Sequence, residues 1–222
     1  MFQPAEEGPG GAAPMIKAGL LKNPKVDAAM ALHMWNHLSV GQLGVRSGAV
    51  FSAVDTFAVK VRGVGGHGAA PHQTVDPIVA AAHIVTSIQP VISRRMDPLH
   101  SAVVTIGKIA GGTRFNIIPD EVILEGTVRS FRKDVRKKLR SEIERVCKSV
   151  AKAHGAKAIM RYEHLYPATV NDVGMTNFAS KVGADVVGAR KVVPQELTMG
   201  SEDMSYVLEE VPGCYVMLGA RN

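Results

Sequence analysis

The run FAVKVRGVGGHGAAPHQTVDPIVAAAHIVTSIQP, residues 57–90, decides how the chain folds. Phe57, Val59 and Val61 alternate with Ala58, Lys60 and Arg62, the period-two pattern of a strand with one buried face. A glycine-rich loop follows. Asp76 then stands as a cap before Pro77 at a first helical position, and Ile78, Ala81, Ala82, Val85 and Ile88 supply a helical stripe that Pro90 limits. Working outward, residues 102–110 read as a second strand and GGTRFNIIPD, residues 111–120, as its exit loop. Val122, Leu124, Gly126 and Val128 form the inner face of a third strand. Val135, Leu139, Ile143, Val146 and Val150 then recur at the spacing of a helix with one buried stripe. Gly155 sits where a helix C-terminus wants it, and residues 157–163 make a last strand with Ala158, Met160 and Tyr162 on one side.

The order β-α-β-β-α-β is the ferredoxin-like plan, a four-stranded antiparallel sheet with two helices on one face, and about 110 residues suffices for such a domain. It is inserted into something else. AAMALH at 28–33 and CYVML at 214–218 read as fully buried strands of the kind parallel sheets use, so the flanks look like pieces of an α/β layer. The expected division is residues 1–50, 51–163 and 164–222, the first and last belonging to one domain. One helix is expected from about Gly10 to Leu20, with others near 173–187 and 202–210. MFQPAEEG reads as the end of a strand whose earlier part is absent, the expectation for a truncated gene product.

Composition narrows the function classes. With 222 residues, 46% apolar, 21% charged and 5% aromatic, the chain can bury a sizeable core, which excludes disorder and fibre. No window approaches the ~18 to 20 apolar residues of a membrane span, and no signal peptide opens the chain, so a soluble cytoplasmic protein is expected. Cys147 and Cys214 read as buried thiols. The net charge of +6 raises nucleic acid as a partner, but residues 132–157 hold ten Lys/Arg against three Asp/Glu, so the excess belongs to one helix. Without aromatic platforms or a recognition motif it reads as a solvated face, and neither nucleic acid nor membrane is expected as a partner.

Four constellations could carry chemistry. Glu6 and Glu7 are adjacent carboxylates before a helix, where they either form a solvated acidic pair or, if the backbone turns, face one cation that offsets their repulsion. His33, ending the run AAMAL, stands either as a core histidine or at a strand end, where α/β sheets place ligand sites. VRGVGGHGAAPH contains a formal G-x-G-x-x-G, yet Pro71 delays the helix and no acidic residue follows about twenty positions on, so a dinucleotide site is rejected. What remains is a strand-to-helix turn that displays His67 and His72. Asn116 and Arg129 could orient an amide and a carboxylate, or be ordinary surface. Ser201-Glu202-Asp203 reads first as a helix N-cap with acidic first-turn residues, and the absence of G-x-S-x-G disfavours a serine hydrolase.

Together FQPAEEGPGGA, the ALH at 31–33, GVGGHGAAPH, GGTRFNIIPDE, GTVRSF and MGSEDMSYV resemble the zinc-dependent amidohydrolase and exopeptidase family of aminoacylases, hippurate hydrolases, N-acetyl-diaminopimelate deacetylases and auxin-conjugate hydrolases. The resemblance spans essentially the whole chain. It implies an α/β fold, a di-zinc exopeptidase-type catalytic domain interrupted by a ferredoxin-like lid often used for dimerisation. It implies Glu6 as general base, Glu7 and His33 as metal ligands, and His67 as a lid histidine that stabilises the oxyanion, commonly from the partner subunit. Asn116 and Arg129 match lid positions that hold the substrate's carboxylate side.

The departures matter as much. The family's remaining ligands lie in a Cys-Gly-His-Asp type segment upstream of the EE pair and in a histidine near the C-terminus, and this sequence has neither. Two protein ligands are left where a catalytic zinc uses three plus water. The resulting expectation is hydrolysis of N-acyl amino acids or related small amides by an intact parent using two divalent ions, zinc or manganese foremost. The 222-residue chain itself is expected to bind metal weakly and to be inactive. A homodimer through the lid is the expected assembly, and a non-catalytic dimerisation module is the alternative.

Overall fold

The structure is a computed structural model that describes residues 3–8 and 10–222. It comprises two compact units, one built from the chain up to Ala53 together with Tyr166–Asn222, the other from Val54–Leu165. In chain order the first unit opens with α1 (Ala12–Lys17), β1 (Ala29–Ser39), β2 (Leu43–Val45) and β3 (Gly48–Phe51). Then come β4 (Ala53–Arg62), β5 (Gly66–His67), α2 (Pro77–Pro90), β6 (Ala102–Gly111), β7 (Ile117–Ile118), β8 (Glu121–Ser130), α3 (Lys133–Ala153) and β9 (Lys157–His164). The chain finishes the first unit with β10 (Thr169–Asn171), α4 (Val173–Val187), β11 (Val192–Pro194), α5 (Ser205–Glu210) and β12 (Gly213–Arg221). Among the described residues no helix is long and apolar enough to cross a membrane.

In the second unit the strands lie in the order β6-β8-β4-β9, with β4 antiparallel to β9 from Asp55↔His164 to Arg62↔Lys157, and β6 antiparallel to β8. Phe57, Val59 and Val61 of β4 and Val122, Leu124 and Val128 of β8 meet Ala80, Ile84 and Ile88 of α2 and Leu139 and Ile143 of α3 in one core. Both helices therefore cover one face of the sheet. Asp76 caps α2, accepting from Ile78 N at 2.8 Å. That cap fixes where the helix starts, and the stripe it buries against the sheet is Pro77, Ala80, Ala81, Ile84 and Ile88. Ile78 and Ala82, expected inward, face solvent instead. Small residues at 80 and 81 let the backbone approach the core, which a bulkier pair would prevent. The polar side of α3 carries Lys148–Glu144 at 2.5 Å and Arg145–Glu142 at 2.7 Å, with Arg95 reaching the same Glu142 at 3.3 Å.

At one end of this unit Asp55, only 1% exposed, gathers four donors. Arg136 approaches it through Nε at 2.9 Å and Nη2 at 2.5 Å, the Tyr162 hydroxyl donates at 2.7 Å, and His164 Nδ1 lies at 3.0 Å. Burial, then this bond to Asp55, pushes the Tyr162 hydroxyl well above its ordinary pKa.

The first unit's main sheet runs β1-β12-β2-β11, with β1 parallel to β12, β12 antiparallel to β2, and β2 parallel to β11. On one face Ala12 of α1, Met204 just before α5 and Val207 of α5 pack with Tyr215 and Met217 of β12 and with Phe51 of β3. The other packs α4 through Ala179 against Leu43, Val45, Cys214 and Val216. Asn171 pins the layers together: its Nδ2 donates to Arg46 O and Tyr215 O at 2.8 and 3.0 Å, and its Oδ1 accepts from Tyr215 N at 2.7 Å.

Several local expectations change. CYVML is buried as read, but AAMALH is not, because β1 lies at the sheet edge and Met30, Leu32 and Met34 stand exposed. That strand also continues past His33 to Ser39. Helix α1 is shorter than the Gly10 to Leu20 expectation, since Gly10 takes a φ of 82° that a helix cannot use. Met1 and Phe2 lie outside the described residues, while Gln3, Pro4 and Ala5 form no strand.

Candidate functional site

Glu6 and Glu7 sit in a tight turn rather than on a strand. Ala5 adopts a left-handed φ of 59°, and its carbonyl accepts from Gly8 N at 3.1 Å and Gly10 N at 3.0 Å. The following glycines are required by contact. A Cβ on Gly10 would stand 2.8 Å from the Tyr166 ring, and one on Gly11 would stand 2.2 Å from the Pro4 carbonyl oxygen. The Tyr166 hydroxyl lies 3.0 Å from Glu6 O and 3.1 Å from Gly8 O, so it tethers both ends of the acidic turn.

Beneath the turn lie two further carboxylates. Asp203 is fully buried, accepts from Ala12 N at 2.9 Å and is bonded by the Gln3 side-chain amide. Glu202, also buried, accepts from Met204 N at 3.2 Å and from the Tyr215 hydroxyl at 2.5 Å. Burial raises the pKa of the half-buried Glu6 carboxyl, and the charges of Glu202, Asp203 and Glu7 raise it further against the opposing pull of His33. A carboxyl held that way takes up a proton more readily than a solvated one, which suits a general base. Burial, then Glu202, likewise lifts the Tyr215 hydroxyl, keeping it a donor.

His33 projects from β1 with its ring centroid 6.2 Å from Tyr215 and 6.1 Å, edge-on, from Trp35. Its Nδ1 lies 2.6 Å from the Met34 carbonyl oxygen, which can only accept, so a neutral ring carries its lone pair on Nε2. That is the tautomer of a metal ligand whose other nitrogen is held by the backbone. Glu7 and His33 are donors of the right kind, but among the described residues no group of three or more His, Cys, Asp or Glu is arranged to hold a metal ion. Among the described residues the donor set for a catalytic metal is therefore incomplete.

His67 and Asn116 are brought together in the second unit. Strands β5 and β7 pair as Gly66↔Ile118 and His67↔Ile117, and Gly68 N donates to Asn116 O at 2.8 Å. His67 Nδ1 accepts from Ala69 N at 3.1 Å, so the neutral ring presents its proton on Nε2 as a donor. Close packing explains the glycines, since a Cβ on Gly65 would stand 2.7 Å from Ile118 O. Arg129 is on another strand, opposite Val103 in the β8–β6 ladder, where burial lowers its pKa.

Sequence reading missed the parts played by Glu202, Asp203 and Tyr166. The acidic pair is not a helix cap: α5 starts at Ser205, and its N-cap Met204 makes no side-chain cap bond. Both carboxylates turn inward instead, towards β12 and α1. Asp203 and Ala12 are 191 positions apart, a separation to which no local pattern is sensitive.

The chain belongs to the peptidase family M20/M25/M40, whose family model matches residues 1–222. It is similar to IAA-amino acid hydrolase ILR1-like 4 of Arabidopsis thaliana, 39% identical over 226 residues that cover 100% of this chain and 51% of that protein. It is 36% identical over 219 residues to an N-acetyl-L-cysteine deacetylase of Bacillus subtilis, covering 99% of this chain and 52% of that one. A solved structure of Bacillus subtilis YxeP, described as a dinuclear metal-binding peptidase of the M20 family, superposes with a TM-score of 0.82 at 33% identity, covering 98% of this chain and 54% of that one. The chain thus spans about half the length of the curated relatives it matches.

Proposed function

We propose that this chain carries about half of a metal-dependent amidohydrolase that cleaves the amide bond of N-acyl amino acids or related small amides, of hippurate-hydrolase type. The observation that carries the reading is the Glu6–Glu7 turn, tethered by Tyr166 and underlain by Asp203 and Glu202. In it Glu6 is the general base, its raised pKa suiting it to take a proton from water and return it to the leaving amine. Glu7 and His33 are donors to a divalent centre, zinc or manganese, which when complete supplies Lewis acidity. By itself the chain binds metal weakly and turns over little or nothing. The second unit, with its ferredoxin-like strand order, serves as lid and homodimerisation element. It contributes His67 as an oxyanion donor and Asn116 and Arg129 towards the substrate carboxylate. The protein is cytoplasmic in this reading, with no nucleic-acid or membrane partner.

The incomplete donor set favours a second reading, a non-catalytic dimerisation module. A chimaera in which this chain replaces the matched 221 residues of the Bacillus subtilis relative YhaA separates the two when assayed on hippurate and N-acetyl amino acids with added zinc or manganese. Turnover that falls at least a hundredfold on Glu6→Gln supports the hydrolase. Turnover unaffected by that change removes Glu6 as base, and no turnover together with a stable dimer by light scattering supports the module.

A further inference from the structure

The second unit's sheet is covered on one side. Helices α2 and α3 take the face of Phe57, Val59, Val61, Val122, Leu124 and Val128. On the opposite face no element of this unit lies, and the sheet there is hollowed into a basin of about 530 Å³. Its floor is Ala58, Gly107 and Gly126, with the buried Phe57 ring beneath. Lys108 and Glu125 stand on the β6–β8 side of the basin, Arg161 and Glu163 on the β9 side.

Small residues make the hollow, and the two glycines are small for different reasons. A Cβ on Gly126 would stand 2.5 Å from the Phe57 ring, so packing alone excludes a larger residue there. Gly107 has no such reason. It sits at a bulge, where the β6–β8 register shifts between Ile106 and Lys108, yet its φ is not positive and a Cβ on it would meet nothing within 4 Å. Glycine weakens a strand and often marks a place where a ligand comes close.

The charges around the floor come as neighbouring opposite pairs. Lys108 Nζ lies 3.1 Å from Glu125 Oε2 across the β6–β8 ladder, and Arg161 pairs with Glu163 along β9, all four side chains reaching solvent. Strands β8 and β9 flank β4, so they run about 9–10 Å apart, too close for a helix of about 10–12 Å diameter to settle between their charged side chains. A volume of 530 Å³ is instead that of a small-molecule site.

We infer that the basin binds a free α-amino acid with a large apolar side chain, in its zwitterionic form. The ammonium and carboxylate of such a ligand hang on one carbon, and they meet Glu125 and Lys108, whose opposite charges are equally close. Its side chain lies over Ala58, Gly107 and Gly126 towards the apolar stem of Arg161. The rim carries two cations and two anions, so a ligand of a single sign sets one rim charge against its like, which selects the zwitterion. None of Glu6, Glu7, His33, His67, Asn116 and Arg129 takes part, so the site stands or falls independently of the hydrolase reading.

Calorimetric titration of the 222-residue chain with phenylalanine at pH 7 tests this, with a dissociation constant of about 0.1–1 mM expected for a ligand of that size in an open basin. N-acetylphenylalanine lacks the ammonium and phenethylamine lacks the carboxylate, and each should bind at least tenfold more weakly. Glu125→Gln and Lys108→Gln should each weaken phenylalanine at least fivefold with unchanged circular dichroism. Gly107→Leu, whose Cβ meets no protein atom, should fill the basin and abolish binding. One measurement needs no variant: phenylalanine should shift the amide resonances of residues 56–58, 105–108, 125–127 and 161–163 in the unaltered chain. No shifts in those segments at saturating phenylalanine overturn the inference, as does N-acetylphenylalanine binding equally well, which would make the basin a simple anion site. A homodimer by light scattering that Gly107→Leu dissolves also overturns it, a second copy then being the occupant.

Discussion

Replacing Asp55 by alanine removes the acceptor on which Arg136, Tyr162 and His164 converge. The carboxylate is 1% exposed, and the Arg136 side chain is largely buried at 2.5 Å from it. Breaking a buried ion pair by deleting one partner destabilises by about 3–5 kcal/mol, because a charge is left in a poorly solvated place. Here the guanidinium keeps the Val54 carbonyl at 3.3 Å and some solvent, which argues for the lower end. The Tyr162 hydroxyl also loses its acceptor, a loss of about 1–3 kcal/mol that overlaps with the first rather than adding to it. The expected loss is about 3 kcal/mol. For a chain of this size that lowers the melting temperature by roughly 6–12 °C. Urea titration followed by circular dichroism measures it, with the melting curve as a second readout. The double variant Asp55→Ala, Arg136→Met should recover more than half of the loss, since no charge then remains unpaired. A single-variant loss under about 1 kcal/mol, or a double variant no better than the single, would refute the reasoning.

Two further outcomes can be checked directly. Burial pushes the Cys147 thiol up to about 12, so at pH 8 only about one molecule in ten thousand carries the thiolate. Native chain should resist alkylation there until urea unfolds it, with the rate rising as pH approaches 12; rapid labelling in native buffer would show the α3 interior to be open. Asn171→Ala strips three hydrogen bonds and leaves Tyr215 N–H buried without its acceptor. The expected loss is about 2–4 kcal/mol by urea titration, against less than ~0.5 kcal/mol for Lys181→Ala on the exposed side of α4.

The second unit was easier to read from sequence than the first, for a physical reason. Its strands and helices bury their apolar faces against near neighbours in the chain, so periods of two and of three to four appear directly in Phe57, Val59, Val61 and in Leu139, Ile143. The phase of α2 was misread because several residues in it are small enough to face either way, and packing of Ala80, Ala81, Ile84 and Ile88 against the sheet decides which stripe is buried. The first unit is assembled from segments more than a hundred residues apart, and its strand β1 looked buried only because its composition is apolar. Exposure at Met30 and Leu32 is a statement about what lies beside them, which composition does not encode.

The same division runs through the candidate site. Residue types alone place paired carboxylates at 6 and 7, an imidazole at 33 and a glycine-flanked histidine at 67, because donor chemistry and loop flexibility are properties of the residues themselves. Tertiary structure decides that Asp203 and Tyr166 hold the acidic turn, that Glu202 and Asp203 raise the pKa of Glu6, and that Asn116 pairs beside His67. Those are effects of distance and burial, and both arise only when remote segments are folded into one solvent-excluded volume.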